Sequence, residues 1–213
     1  MSMLHVINIM EIWVERCLVE AIEGTGVCTC NKCLKDIYAL SLNNLKPHYI
    51  VSMRGIDSEE LDYKFETLKD DIMKQIKISI ERIKKNPKHD KDEVENVTNY
   101  AEILANEYVR KMIEDSGMCK CDQCRHEVYR IVLNNVKPYY YVTMEGAMIT
   151  KLESERDQYK TNILLEASKA IDYIKNNCDH ERVIEWLNNK NYKINYQKTM
   201  YKLISVSNYI IVH

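Results

Sequence analysis

The feature of this chain that most constrains its fold is an internal repeat. Positions 26–55 and 117–146 align without a gap at a constant offset of 91, and 14 of the 30 aligned positions are identical. Each copy begins with Cys-x-Cys-x-x-Cys and continues into Asn-Asn-(Leu/Val)-Lys-Pro. Two copies of one unit, each with three closely spaced thiols, predict two metal sites in one chain and a pseudo-two-fold architecture.

The similarity between the copies extends well beyond the cysteines. We therefore predict a first repeat at 1–90, a second repeat at 91–181 and a C-terminal extension at 182–213. Domains of about this size are common. The extension is rich in lysine and tyrosine, and we interpret it as an element that caps the repeats. The alternative is a basic-aromatic surface for nucleic acid, but the extension contains no nucleic-acid-binding motif. Nucleic acid is not an expected partner.

Apolar periodicity predicts a mainly α fold for each repeat. A helix, a cysteine loop, a second helix, a short strand and a long third helix follow one another in both copies. The strands are predicted near 49–53 and 140–144, where β-branched and aromatic residues precede a glycine. Because a lone strand leaves its backbone groups unpaired, we expect these two strands to pair with each other across the pseudo-two-fold.

Composition indicates a folded, soluble chain. Apolar residues make up 46% and charged residues 29% of the sequence, and the formal net charge of −2 argues neither for nor against a polyanionic partner. No apolar run approaches the roughly 18 residues that span a bilayer, and the N-terminal segment resembles an amphipathic helix more than a signal peptide. We expect a cytoplasmic protein without a membrane partner, in which thiols stay reduced.

The cysteine spacing predicts two structural zinc sites. Cys-x-Cys-x-x-Cys supplies three ligands of a tetrahedral site, and the third cysteine begins a helix, whose N-terminus favours the thiolate. The end of the third helix is the candidate source of a fourth ligand: Cys178 in the second repeat, and His89, which aligns with His180, in the first. The predicted ligands are Cys28, Cys30, Cys33 and His89 for one site, and Cys119, Cys121, Cys124 and Cys178 for the other.

Other interpretations of these residues stay open. The cysteines could be buried reduced thiols or a thiol redox switch, and His89 could be a solvated linker residue. A catalytic cysteine is not expected, because His126, two residues after the second triplet, aligns with Lys35. Glu11 and Glu102 recur in both copies, but each falls on a helix among charged neighbours and is interpreted as solvated. The sequence therefore predicts a protein that is not an enzyme.

The run from Cys28 to Ser52 resembles the core of the late competence development protein ComFB family. The cysteine triplet, the helix that ends in Leu-Asn and the Pro-x-Tyr-(Ile/Tyr)-Val-(Ser/Thr) segment carry the resemblance, which does not cover the extension. It implies a small, zinc-binding, mostly helical homodimer with a further cysteine beyond the last helix. Cys178 matches that cysteine approximately, whereas Pro87 departs from it. This chain would then be a family dimer fused head to tail, a monomeric pseudo-dimer rather than a homodimer.

The resemblance also implies a ligand, because the family includes receptors for cyclic dinucleotides. Their binding segment resembles Lys-Pro-x-Tyr-x-x-(Ser/Thr)-x-x-Gly here, in which tyrosine would stack on a base and lysine would meet a phosphate. Arg54 aligns with Glu145, so the two halves are not electrostatically equivalent. Alternatively, Lys-Pro-x-Tyr only turns the chain and fills the core. The implied ligand-binding residues are Lys46, Pro47, Tyr49, Ser52, Arg54, Gly55, Lys137, Pro138, Tyr140, Thr143 and Gly146.

The expected function is that of a non-enzymatic, zinc-containing receptor for cyclic di-GMP or cyclic di-AMP that relays its signal to an unidentified protein partner. Two alternatives stay open: a zinc-stabilised protein-interaction module without a small ligand, and a thiol redox switch.

Overall fold

The computed structural model describes residues 6–51, 58–87, 96–143, 146, 148 and 158–177. The first repeat contains β1 (Val6–Asn8), α1 (Ile9–Ile22), α2 (Asn31–Asn43), β2 (Tyr49–Val51) and α3 (Ser58–Lys85). The second repeat contains β3 (Thr98–Asn99), α4 (Tyr100–Asp115), α5 (Asp122–Asn135), β4 (Tyr140–Tyr141) and α6 (Tyr159–Asn177). The order of elements is the same in both, which confirms the mainly helical, tandemly repeated fold. The C-terminal extension, 182–213, lies outside the described residues.

The local sequence explains where the first helix of each repeat begins and how its cysteine loop starts. Asn8 and Asn99 precede α1 and α4, and their side-chain oxygens accept the backbone N–H two residues on, at 3.2 and 3.1 Å. An asparagine cap of this kind stabilises a helix by about 1 kcal/mol. Gly26 and Gly117 take φ values of 66° and 68°, a left-handed conformation that admits glycine without strain and turns the chain into the cysteine loop.

The strand pairing differs from the prediction. β2 pairs antiparallel with β1 of its own repeat, with Asn8 opposite Tyr49, and β4 pairs with β3, with Asn99 opposite Tyr140. The expected pairing of the two predicted strands across the pseudo-two-fold is therefore wrong. Each strand already has a local partner immediately before the first helix, and segments of two or three residues are too short to show a strand pattern in the sequence.

The second edge of each strand is covered by an asparagine from the opposite repeat. Tyr49 donates its backbone N–H to Asn134 Oδ1 at 2.7 Å, and Asn134 Nδ2 donates to the Tyr49 carbonyl at 2.9 Å. Tyr140 and Asn43 make the equivalent pair at 2.6 and 2.9 Å. These asparagines thereby satisfy backbone groups that an edge strand leaves unpaired.

Each repeat has its own hydrophobic core, and the two cores exchange residues. The first core is built mainly from α1, α2 and α3 and receives Tyr140 and Val142 from the second repeat. The second core is built mainly from α4, α5 and α6 and receives Tyr49 from the first repeat. The two repeats therefore pack as one body.

The long third helix is amphipathic. α3 has 28 residues and buries Phe65, Ile72, Ile76 and Ile80 against the first core, while charged residues cover its other faces. Among the described residues there is no helix with the length and apolar character that crossing a membrane requires.

Candidate metal centres and inter-repeat ligand sites

Each cysteine triplet forms a compact sulfur cluster. The triplets are Cys28, Cys30 and Cys33 in the first repeat and Cys119, Cys121 and Cys124 in the second. Within each triplet the Sγ atoms all lie within 4.8 Å of one another. The second cysteine is the N-cap of α2 or α5, and the third lies in the first turn. Three sulfurs this close can ligate a single ion, so both groups could hold a metal.

Backbone N–H groups point at the sulfur atoms. The N–H of Cys30 lies 3.5 Å from Cys28 Sγ, and the equivalent distance from Cys121 to Cys119 is 3.4 Å. The N–H of Cys124 also donates to Cys121 Sγ, at 3.5 Å. Such donors favour the thiolate over the thiol and orient a metal-bound sulfur. The described cysteines are all free of disulfide bonds.

The thiols of a triplet are not equivalent. Burial, followed by its hydrogen bonds and proximity to Cys30 and Cys28, raises the pKa of Cys33 to about 12. In the second repeat, the backbone N–H of Cys121 lowers the pKa of Cys119. A ligating thiol must lose its proton to the solvent, so metal affinity of these clusters is expected to increase with pH.

The packing of α2 on α3 indicates where a fourth ligand would come from. The hydroxyl oxygens of Ser41 and Ser79 lie 3.1 Å apart. Residues 44–46, which follow α2, line a cavity together with residues 68, 71, 72 and 75 of α3. Ser41 thus lies near Ser79, whereas the later residues 44–46 lie near earlier residues of α3. The two helices are therefore antiparallel.

The antiparallel arrangement brings the end of α3 towards the first cysteine cluster. Cys33 lies eight residues before Ser41 and Lys85 lies six residues after Ser79. At a rise of about 1.5 Å per residue, both are displaced in the same direction by about 9–12 Å from the serine contact. The end of α3 therefore lies at about the same level along the helix pair as the cluster, so the chain that follows α3 is a candidate source of the fourth ligand. The predicted fourth ligands, His89 and Cys178, lie outside the described residues and stay predictions.

The two Lys-Pro segments line one cleft between the repeats. A cavity of about 460 Å³ is bounded by residues 43–47 of the first repeat and the equivalent residues 134–138 of the second. Lys46 and Lys137 are exposed, whereas Pro47 and Pro138 are buried beneath them. The structure thus brings together the four Lys-Pro residues that the sequence singled out.

Positive charge surrounds the first-repeat side of this cleft. An adjoining cavity of about 530 Å³ is lined by Lys46, His48 and Lys64, with Asp71 as an acidic member of its wall. Burial, reinforced by the charges of Lys64, Arg130 and Lys46, lowers the pKa of His48 to about 4. His48 is therefore neutral near pH 7, and the cationic groups around it favour an anionic ligand.

Tyr49 and Tyr140 have a different environment from the one expected. Their side chains are only 2% and 6% exposed, and each ring packs in the core of the opposite repeat. A buried ring presents no face to a nucleobase, so the expected stacking role of these tyrosines is not supported. Both rings fill a core instead, which agrees with the alternative interpretation that Lys-Pro-x-Tyr turns the chain and fills the core.

The two phenol groups reach acidic residues of the opposite repeat. Tyr140 donates to Glu11 Oε1 and Tyr49 donates to Glu102 Oε1, both at 2.6 Å. An asparagine side chain donates to each phenol oxygen at 2.9 Å. We call this polar contact surface the seam; it consists of Asn8, Glu11, Tyr49, Asn99, Glu102 and Tyr140.

The interpretation of Glu11 and Glu102 as solvated side chains is wrong, because both are partly buried in the seam. Burial, together with the negative charge of Glu102, raises the pKa of Glu11 to about 7, although its hydrogen bond with Tyr140 opposes the shift. Burial likewise raises the pKa of Glu102. The sequence did show that these acids recur at the repeat offset, which could have marked them as functional. It did not show that each bonds to a tyrosine of the other repeat, because the sequence does not reveal which surfaces of the repeats meet.

The comparison with known families also finds two copies of one unit in the chain. The family model described as late competence development protein ComFB matches residues 7–87 and, a second time, residues 98–178. The chain belongs to the ComFB family. No curated protein and no solved structure matches the chain significantly. Both ComFB matches fall inside the predicted repeats, 1–90 and 91–181, and the extension lies beyond them.

The remaining predicted ligand residues follow the short strand of each ComFB repeat. In the second repeat, Gly146 donates its N–H to Thr143 Oγ1 at 3.1 Å. A Cβ at position 146 would lie 3.3 Å from Tyr141 Cβ, so a larger residue would crowd this turn. In the first ComFB repeat, Ser52, Arg54 and Gly55 lie outside the described residues.

Proposed function

We propose that this ComFB-family chain is a non-enzymatic cyclic dinucleotide receptor, stabilised by two structural zinc ions, that relays its signal to a protein partner. The observation that carries the proposal is the shared cleft of residues 43–47 and 134–138. The cavity volume is within the range of about 300–1,000 Å³ that is typical of small-molecule sites.

The pseudo-symmetry of the cleft matches the symmetry of such a ligand. A cyclic dinucleotide carries two phosphates and two bases related by a two-fold axis. Lys46 and Lys137 sit at equivalent positions on the two sides and can each meet one phosphate. The exposed Asn44 and Asn135 line the same cleft and can offer side-chain carbonyl oxygens to base edges.

In this proposal the bases stack on the residues just before the buried tyrosines, not on the tyrosines themselves. His48 and Tyr139 are the variable residues of the two Lys-Pro-x-Tyr segments, and both rings are half-buried. His48 already stacks on Trp13, with ring centroids 5.6 Å apart. Lys137 lies 5.1 Å from the centroid of Tyr139. His48 lines the adjoining cavity rather than the cleft itself. Each Lys-Pro segment is nevertheless followed by an aromatic ring with a lysine nearby, Lys46 for His48 and Lys137 for Tyr139, a pairing suited to a nucleotide.

Zinc is the metal that best suits the cysteine clusters. Thiolate ligands select soft or borderline ions, and a closed site of three cysteines and one further ligand is a common structural zinc site. Each cluster joins the start of a helix to the loop before it. An ion bound there would fix the loop between the first two helices of each repeat.

Isothermal titration calorimetry with cyclic di-GMP and cyclic di-AMP tests the receptor proposal. One of them should bind, and Lys46→Ala and Lys137→Ala should each weaken binding by about tenfold or more, since a charge-assisted hydrogen bond contributes about 1.5–3 kcal/mol. Lys77→Ala is the matched control, because Lys77 is an exposed lysine on α3 away from the cleft lining. Absence of heat at high micromolar concentrations of both ligands would overturn the proposal and leave the zinc-stabilised interaction module.

The relay to a protein partner has a separate test. Proteins captured on the immobilised chain should change when the bound dinucleotide is added, and the change should disappear in the Lys46→Ala, Lys137→Ala double variant. Capture that is identical with and without ligand would contradict a ligand-controlled relay.

A further inference from the structure

A further cavity lies at the seam, away from the Lys-Pro cleft. It has a volume of about 500 Å³ and is bounded by α1 and α2 of the first repeat and by β3 and the start of α4 of the second. Leu18, Leu34, Val97 and Ile103 supply apolar wall, and the half-buried Tyr38 adds an aromatic ring. This cavity shares no residue with the Lys-Pro cleft.

Three carboxyl groups line this cavity. Glu11 and Glu102 accept hydrogen bonds from the seam tyrosines, whereas Glu15 Oε1 has no hydrogen-bond partner among the described residues. The Glu15 side chain is only 5% exposed. A buried carboxyl oxygen without a partner is costly, and it is the kind of group that a bound ligand would satisfy.

The charges of the cavity wall are unbalanced. Lys35 is the single lysine or arginine among the described residues that line it, against three carboxyl groups. Burial raises the pKa of Glu15 to about 7, as it does that of Glu11. One lysine cannot balance three carboxyl groups that burial removes from water, and a cationic ligand would supply the missing positive charge.

A single metal ion does not fit this arrangement. Among the described residues, the groups of three acidic, histidine or cysteine side chains whose ligand atoms lie within 4.8 Å of one another are the two cysteine triplets. Glu11, Glu15 and Glu102 do not form such a group, so one ion cannot be ligated by all three. A ligand that pairs with all three carboxyl groups must carry its positive charges at separate points.

We propose that the seam cavity binds a linear polyamine, whose ammonium groups are separated by methylene chains. The ammonium groups would pair with Glu15, Glu11 and Glu102, and the methylene chains would lie against the apolar wall. Each ammonium offers several N–H donors to a carboxylate, which satisfies the Glu15 oxygen that the protein leaves unpaired.

The cavity wall is not symmetric about the pseudo-two-fold. Asn106, which lines the same cavity, occupies the position that corresponds to Glu15 and is not an acid. His126 and Tyr129 correspond to Lys35 and Tyr38 on the cavity wall, and both are only 5% exposed, whereas Lys35 and Tyr38 are half-buried. Residues of both repeats line this one cavity, so we expect one polyamine per chain.

The proposal predicts pH-dependent binding. Below about pH 7 the proton on Glu15 and Glu11 competes with the ammonium groups, so affinity should fall as the pH is lowered from about 8 to about 6. Glu102, whose pKa is also raised by burial, contributes in the same direction. Burial raises the pKa of Tyr38 and Tyr140, so neither tyrosine titrates in this range, and Lys35 is the remaining charged group on the wall.

Calorimetry with spermidine and the full zinc-loaded chain tests the proposal. We expect one site, with affinity lowered about tenfold or more by Glu15→Gln, because one charge-assisted contact is lost. Glu107→Gln is the matched control: it removes one exposed carboxylate from α4 next to the cavity, and the affinity should not change. Butylamine, with a single charge, should bind far more weakly than spermidine.

Three outcomes would overturn the polyamine site. They are no spermidine binding at millimolar concentration, equal affinity of the wild type and Glu15→Gln, and an equal loss in Glu107→Gln, which would mean non-specific attraction. Circular dichroism of Glu15→Gln, a near-isosteric change, establishes that the variant is folded. Lys46→Ala should leave spermidine binding unchanged, so failure of the cyclic dinucleotide proposal does not affect this result.

Discussion

Tyr140, in the second repeat, donates a 2.6 Å hydrogen bond to Glu11 of the first repeat. Tyr49 makes the mirrored bond to Glu102 at the same distance. Each tyrosine also fills part of the opposite core, so each ComFB repeat completes the buried polar and apolar groups of the other. A repeat without its neighbour would expose a core cavity and leave these polar groups without their partner. The two repeats are therefore expected to unfold as one cooperative unit.

Removal of one hydroxyl group tests this exchange. Tyr140→Phe keeps the ring in the first core but leaves Glu11 and Asn8 without their phenol partner. The free energy of unfolding should fall by about 1–3 kcal/mol, the usual cost of an unsatisfied buried polar group. Tyr63→Phe is the control, because Tyr63 is 75% exposed and the change should stay within about 0.5 kcal/mol. Urea unfolding followed by circular dichroism measures both, and wild-type stability of Tyr140→Phe would refute the role of the bond.

The buried acid Glu15 should make stability depend on pH in a defined direction. Its pKa rises from 4.5 in the unfolded chain to about 7 in the folded one because of burial. Between these values the folded state binds more protons, so this contribution to stability is present at acidic pH and is lost as the pH rises through 7. Glu15→Gln removes the effect, so the variant should gain stability over the wild type at about pH 8 but gain less at about pH 5.

Urea unfolding at the two pH values checks the prediction for Glu15. The comparison between variant and wild type at each pH cancels the contributions of metal loading and of other titrating groups. Glu107→Gln, an exposed acid on α4, should show the same small difference at both pH values. An identical effect of Glu15→Gln at both would mean that Glu15 titrates as an ordinary exposed acid.

The sequence predicted those features that depend on local spacing. The helices, the duplication and the two cysteine triplets follow from periodicity and from residues within one short segment, and the structure contains all three. The pairing of β1 with β2 was missed because Val6–Asn8 is too short to show alternation. The environment of Glu11 was missed because its partner, Tyr140, lies 129 residues away and in the other repeat. An internal repeat shows that two copies exist, but not which surfaces they bury against each other.

His48 should report on ligand binding in the Lys-Pro cleft. Burial and the charges of Lys64, Arg130 and Lys46 lower its pKa to about 4 in the free protein. A bound phosphate would offset these positive charges, so the pKa of His48 should move up towards its usual value of about 6.5. Nuclear magnetic resonance titration of the imidazole, assigned with His48→Gln, measures the shift. A pKa that is the same with and without saturating cyclic dinucleotide would place the ligand elsewhere.

Metal content should respond to single cysteines in a triplet. We expect about two zinc ions per chain, and Cys30→Ser or Cys121→Ser should each remove about one, because loss of a thiolate opens a structural site. Cys17→Ser is the control: Cys17 is 1% exposed in the first core and belongs to neither triplet. Mass spectrometry of the metals in protein purified without added zinc measures the ratio. Chelation should also lower the melting temperature, since metal binding contributes to folding. Unchanged zinc in both triplet variants would exclude these clusters as the metal sites.

The asparagine pair of the Asn-Asn-x-Lys-Pro segment offers a test in which adjacent residues of the same type have different roles. Asn134 satisfies the backbone N–H and carbonyl of Tyr49 in the opposite repeat. Within the part of the chain that the structure describes, the exposed Asn135 bonds only to the carbonyl of Ile131 in its own helix. Asn134→Ala leaves two backbone groups of β2 unpaired, so we expect a loss of about 1–3 kcal/mol in the free energy of unfolding. Asn135→Ala should cost less than about 0.5 kcal/mol.

The equivalent variants of the first repeat, Asn43→Ala and Asn44→Ala, should reproduce this difference in urea unfolding, because Asn43 covers Tyr140 as Asn134 covers Tyr49. Asn43 and Asn134 both also border the Lys-Pro cleft. The asparagines that hold the two strands in place are therefore part of the wall of the proposed ligand site. Loss of either should weaken dinucleotide binding as well as stability, whereas equal effects of Asn134→Ala and Asn135→Ala would mean that the strand edge does not depend on the opposite repeat.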